Sequence, residues 1–352
     1  MTSTARGRHG LRLLLRVLHK REDLAQLTPA DWDHLLPAAE HAKLTARVAA
    51  DAEQLGLADG LPRWARDRLT SARIRGNEFE RLVRWEIDRI HRALLPIDVR
   101  PVFLKGAGYA AAGLPSAIGR VVADVDVMVS AADLLRAESA LHEHGWESVE
   151  QTAYDERYYR QWMHELPPMW HQQRGTMLDL HHAILPRTGR LRPDSGILLD
   201  RVVRVGETYV LCPTHMLLHA AVHLFYDGAP AIRDLTDIDG LARYFATAEA
   251  DFWPTLVADA RELGLERPAF YALRYAHRLL GTPIPAELWT GVGRAAPVGP
   301  VGYLMDTLVD VTLNGAIGLT AMSSYALFVR SHWLRMPPVM LARHLAHKAL
   351  AR

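Results

Sequence analysis

The sequence predicts an α+β fold: a small mixed sheet with flanking helices, embedded between N- and C-terminal helical regions. Three observations predict it. Residues 1–95 carry apolar positions at helical spacing and no alternating run. Residues 96–190 hold short apolar or alternating segments punctuated by glycine turns, the pattern of strands. From 191 to 352 helical periodicity returns, broken by Pro and Gly. These stretches are the expected N-terminal helical region, α/β core and C-terminal helical region.

The 352 residues suffice for two or three packed units with a sizeable core. Apolar residues make up 49% and charged residues 23%, ordinary for a soluble globular protein. A net charge of +1 gives no global basic field, so long nucleic acid is not an expected partner. Cys212 is the single cysteine, which excludes an internal disulfide or a thiolate-rich metal site and fits a reducing cytoplasm. Arg6, Arg8, Arg12 and Arg16 interrupt the first apolar run, which reads as an amphipathic helix and not a signal peptide. Residues 311–329 are uncharged and about long enough to span a bilayer. Asn314, Gly315, Gly318, Thr320, Ser323 and Ser324 weaken that stretch, so a buried helix is expected and no membrane partner.

In chain order, Leu11, Leu14, Leu15 and Leu18 give the first helical stripe. Thr28-Pro29-Ala30-Asp31 is an N-cap with Pro at the first helical position, opening a helix through Trp32, Leu35 and Leu36. Residues 38–41 begin another. Leu61-Pro62 starts a long helix to about Leu95, whose mixed charges suit a solvated face.

The core opens with a strand over 97–104 that stops at Lys105-Gly106. Gly106 and Gly108 permit a tight turn and close backbone approach. A short helix follows and ends at Gly113-Leu114-Pro115. The next strand, 121–129, puts Val125, Val127 and Val129 on one face and Asp124, Asp126 and Met128 on the other. The two carboxylates then stand roughly 7 Å apart along the strand. Like charges that close are costly without a cation between them, and a hard divalent ion such as Mg2+ takes oxygen ligands. The plainer reading is a solvated edge-strand face. Ser130 caps a helix over 134–144, ended by Gly145, and 146–150 alternates like a strand. A hairpin follows, with arms at 169–172 and 177–182 around Arg174-Gly175. Its second arm carries one carboxylate, Asp179, with His181 on the same face.

Cys212-Pro213-Thr214 opens a helix whose His215, His219 and His223 share one face and offer a zinc-type alternative. In the helix over 232–238, Arg233 and Asp237 have the spacing of an ion pair. Arg330, Arg335, Arg343, His344 and Lys348 make the last helix basic, a solvated face or a contact for an acidic or phosphate-bearing partner.

The run LKGAGYAAAG…IGRVVADVDVMV resembles the core of the uncharacterised nucleotidyltransferases of the DNA-polymerase-β-like superfamily. Asp179-Leu180-His181 matches the family's acid-Leu-His pattern. The resemblance spans most of residues 35–240 and implies a polymerase-β-like nucleotidyltransferase core. It implies that Asp124, Asp126 and Asp179 hold Mg2+ or Mn2+ and are catalytic, in a two-metal transfer. It further implies that the Gly106 and Ala107 amides cradle the phosphates, with Lys105 and Arg120 neutralising their charge. His181, His223 and Arg233 belong to the same nucleotide cleft in this resemblance. Two departures stand out: Ala107 replaces the usual Ser of a Gly-Ser pair, and the spacer to Asp124 is long. The expected co-substrate is an NTP, with ATP the expected donor. The acceptor stays open among a peptide, as in peptide natural-product modification, a small molecule and a tRNA end. The alternative is a catalytically silent nucleotide- or partner-binding protein on the same fold.

Overall fold

The computed structural model describes residues 3–19, 21–226, 228–314 and 320–343. Four helices come first: α1 (Ser3–His19), α2 (Pro29–His41), α3 (Thr45–Gln54) and α4 (Arg63–Leu94). Thr28 caps α2 reciprocally. Its hydroxyl accepts from the Asp31 amide, and the Asp31 carboxylate accepts from the Thr28 amide. Residues 38–41 form the last turn of this helix and not a separate one. Helix α4 buries Leu69, Val83, Ile87 and Ile90 along one side and pairs Arg81 with Glu78 and Arg84 with Glu80 on the other.

The centre is one mixed sheet of seven strands, among the described residues, in the order β3-β4-β5-β2-β1-β7-β6. The strands are β1 (Val102–Phe103), β2 (Asp124–Met128), β3 (Trp146–Ser148), β4 (Met169–His171), β5 (Met177–His181), β6 (Val202–Val205) and β7 (Thr208–Leu211). β2 runs parallel to β5 and β1 parallel to β7; the other neighbours are antiparallel. Helix α5 (Lys105–Ala111) follows β1, α6 (Leu134–Glu143) follows β2, α7 (Ala153–Trp162) links β3 to β4, and α8 (Ser195–Asp200) precedes β6.

Three features depart from the sequence expectation. The first strand is two residues long, because residues 95–97 form a 3-10 turn and Asp98 sits at φ 53 before Pro101 removes a ladder donor. The sheet does not end near residue 190: β6 and β7 form a hairpin, with Gly206 at φ 59 in its turn, inside the segment expected to be helical. Helix α7 is not among the expected helices: it buries no residue, and its stripe of Tyr154, Tyr158 and Trp162 at four-residue steps lies among charged residues. The β4–β5 hairpin is tied to α4 through Glu86, 1% exposed, which takes Arg174 at 2.7 Å and the Thr176 hydroxyl at 3.0 Å.

Helix α9 (Pro213–His223) is buried from Thr214 to Val222 and packs against α10 (Ile232–Ala248), α11 (Phe252–Glu262) and α12 (Glu266–Leu280). Helix α1 packs on α12, so the two helical regions meet. Gly119, at φ 69, lies against α3, where a Cβ would come within 2.5 Å of the Arg47 amide nitrogen. The chain continues through α13 (Ala286–Val292), α14 (Gly299–Asn314) and α15 (Thr320–Arg335). The apolar stretch 311–329 is divided between α14 and α15, and its residues 315–319 lie outside the described residues, as do His344 and Lys348. No described helix is long and apolar enough to cross a membrane.

Candidate active site

The parallel pairing of β2 with β5 sets Asp126 beside Asp179, Asp124 beside Met177 and Met128 beside His181. Parallel neighbours project to the same side, so Asp124, Asp126, Asp179 and His181 share one face. Asp126, Asp179 and His181 offer ligand atoms that all lie within 4.8 Å of one another.

Asp126 is 4% exposed and held from two sides. Lys105 Nζ donates to its Oδ1 at 2.6 Å, and His181 Nε2 meets the same oxygen at 3.0 Å. Burial alone would raise the pKa of this carboxyl, but Lys105 and His181 hold it well below the usual range. Burial likewise works against charge on Lys105 and His181, and Asp126 reverses the balance for both. Lys105 sits at φ 43, a conformation that costs a non-glycine residue about 1 kcal/mol. The ion pair helps hold it there.

Asp124 and Asp179 differ from Asp126: neither has a hydrogen-bond or ion-pair partner among the described residues. Burial, then the charges of Glu165 and Asp126, push the Asp179 pKa up to about 7. Three neighbouring carboxylates thus share a face with cationic partners for one.

Glu165 is a site residue that the sequence reading missed. Past α7 the chain makes a single β-bridge between Glu165 and His181. Glu165 Oε2 lies 3.4 Å from His181 Nδ1 and 3.6 Å from His164 Nε2. Burial raises its pKa, against the pull of His181 and Lys105. Pro167-Pro168 marks an extended segment here, and nothing in the pattern marks it as part of the carboxylate cluster.

Gly106 and Ala107 lie in the first turn of α5, both buried. A Cβ at Gly106 would overlap the Arg120 guanidinium and approach Val122 to 2.7 Å. Arg120 is committed elsewhere than expected: it pairs with Asp237 of α10 at 2.9 Å and lies over the Tyr109 ring at 5.7 Å. Gly106→Ala should destabilise the fold by about 1–3 kcal/mol through overpacking. Urea denaturation checks this, and an unchanged midpoint would contradict the packing.

The three histidines of α9 share a helix face and not a binding site. His215 faces Asp259 at 3.7 Å and groups with Cys212, whereas His223 stacks on Tyr226 and lies 3.8 Å from Asp234. His219, between them, contacts the pocket behind Lys105. One zinc ion across that face is therefore not supported. Arg233 pairs with Asp234 at 3.2 Å, and the expected Arg233–Asp237 pair gives way to Arg120–Asp237. Burial, then Lys105, lowers the His223 pKa well below its usual value.

His219 gives the fold a pH dependence. Burial, then Lys105, lowers its pKa to about 3, so it stays neutral when folded. The unfolded chain, with a pKa of about 6.5, binds a proton that the folded chain does not. Stability is therefore lost as pH falls below about 6.5, by up to roughly 1.4 kcal/mol per pH unit from this group. His219→Gln should flatten that slope in urea denaturation series, and an unchanged slope would remove His219 as its source.

No curated protein and no solved structure matches the chain. A family model matches residues 28–281, a span that includes all seven strands and every carboxylate of the cluster. With well over half its length matched, and its acids gathered on one sheet face, the chain belongs to the uncharacterised nucleotidyltransferase family.

Proposed function

We propose that the protein is a metal-dependent nucleotidyltransferase with a polymerase-β-like core, moving the NMP of an NTP, ATP expected, to an acceptor. Family membership supports nucleotidyl transfer as the class of activity. The observation that carries the metal-dependent reading is the pair of unpartnered carboxylates, Asp124 and Asp179, flanking Asp126, with Asp179 raised to about 7. Negative charge concentrated on oxygen donors fits a hard divalent ion, Mg2+ or Mn2+. Asp124, Asp126 and Asp179 would hold it, where it would offset charge on the α-phosphate and the departing pyrophosphate.

The chain's own groups divide the remaining work in this reading. Lys105 and His181 fix the Asp126 carboxylate, and Glu165, 3.4 Å from His181 Nδ1, adds negative charge beside that imidazole. The first-turn amides of Gly106 and Ala107 would receive the β- and γ-phosphates, with Lys105 adding positive charge. His223 and Arg233 would border the nucleotide. The acceptor oxygen attacks the α-phosphorus, the bond to pyrophosphate breaks, and Asp179 takes the acceptor's proton. Arg120 acts indirectly, because its charge is bound to Asp237.

Manganese binding tests the metal site directly. Electron paramagnetic resonance should show Mn2+ bound by wild type, with affinity reduced about tenfold or more in Asp179→Asn. Equal Mn2+ binding by the two proteins would contradict the role of Asp179.

A further inference from the structure

A second concavity lies next to the carboxylate site, built by other elements. Leu185, Leu191 and Phe225 give it apolar walls, and Arg267, Arg330 and Arg335 also line it. Its volume is about 120 Å³, near the roughly 150 Å³ of a cavity that takes up benzene. The guanidinium of Arg330 lies over the rings of Phe225 and Tyr271, at 5.4 and 5.6 Å. That of Arg335 lies over Tyr226 at 4.5 Å.

The balance of charge here is unusual. Among the described residues, none of the three arginines has a carboxylate within ion-pair distance. Arg330 makes no hydrogen bond among the described residues; Arg335 donates through Nη2 to the Ser331 hydroxyl at 3.1 Å, and its buried Nε has no hydrogen-bond partner among the described residues. Ring faces satisfy the flat sides of these guanidinium groups and leave the N–H edge of Arg330 and the Nε of Arg335 open. Burial without a counter-charge lowers the Arg330 pKa from its usual value. An arginine fork in an apolar pocket matches a planar carboxylate on an apolar body.

Tyr226 joins the pocket to the catalytic cluster. It lines the pocket, its ring lies 5.3 Å from His164, and His164 lies 5.2 Å from His181. We propose that the pocket is the acceptor subsite and takes a small organic acid with an apolar, ring-sized body. The carboxylate meets Arg330 and Arg335, and the reacting group is directed past Tyr226 toward Asp179, beside Glu165. This assignment rests on the transferase reading above.

The test uses phenylacetate and its neutral twin, phenylacetamide, titrated into the full chain without nucleotide and followed by NMR. Phenylacetate should bind saturably and about tenfold or more tightly than phenylacetamide. Arg330→Met, which keeps an apolar stem in place, should lose that preference, and Asp124→Asn should keep it. Equal binding of the two compounds by wild type overturns the assignment even where Arg330→Met fails to fold. So does wild-type-like preference in a folded Arg330→Met, or no saturable phenylacetate binding at millimolar concentration. Because nucleotide is absent, failure here concerns the pocket alone, and failure of transfer is read separately by nucleotide titration.

Discussion

Asp124→Asn should abolish Mg2+-dependent nucleotide binding while leaving the fold near wild-type stability, whereas Asp126→Ala should damage both. The two acids sit on one strand face, two residues apart, in opposite electrostatic situations. Asp124 is half-buried with no partner among the described residues, so neutralising it breaks no contact and relieves repulsion from its neighbours. Its expected effect on stability is within about 0.5 kcal/mol. Asp126 is the buried counter-ion of Lys105 and the hydrogen-bond partner of His181. Its removal leaves a cationic side chain, 19% exposed, without a carboxylate and should cost about 3–5 kcal/mol. Both changes remove a carboxylate that the proposal assigns to the metal, so loss of transfer should reach about a hundredfold or more in each. Urea denaturation and nucleotide titration on the same preparations separate the two effects. A destabilised Asp124→Asn, or an Asp126→Ala of full stability, would contradict this division.

The second large effect lies away from the carboxylates. Arg120 and Asp237 are 117 residues apart and form a buried ion pair, with side chains 10% and 9% exposed. The pair clamps α10 against the segment entering β2, and the guanidinium fills the space that Gly106 leaves open. Burial works against charge on Arg120, and Asp237 overcomes it. Asp237→Ala strands that guanidinium and should cost about 3–5 kcal/mol. Replacing both partners with apolar residues of similar size, Arg120→Met/Asp237→Leu, should recover most of the loss. Denaturation of the single and double variants measures this coupling. Additive losses in the double variant would show that the pair is not the source.

The site was partly legible in the sequence, and the limits have physical causes. The Asp124–Asp126 alternation follows from strand geometry alone, and Asp179-Leu180-His181 follows the same rule on β5. The pairing of those strands was not legible, because a parallel register across some fifty intervening residues leaves no local mark. Glu165 enters the site through one β-bridge in a segment with no period. The His215, His219 and His223 spacing gave the right helix face but not the neighbours. Helix α9 is buried on nearly all sides, so one face meets several elements. Arg120 reads as a phosphate contact by its place before Asp124, and its partner on α10 is set by tertiary packing. Gly106 likewise reads as a backbone cradle, while the close approach it permits is to a side chain.

Calorimetric titration of ATP, GTP, CTP and UTP with Mg2+, on wild type and Asp124→Asn, tests the central claim most directly. Wild type should bind one NTP, ATP expected, only with the metal present, and Asp124→Asn should lose that binding while remaining folded. Absence of Mg2+-dependent binding to any NTP by folded wild type, or equal binding by Asp124→Asn, would contradict the proposal that these carboxylates form a nucleotidyl-transfer centre.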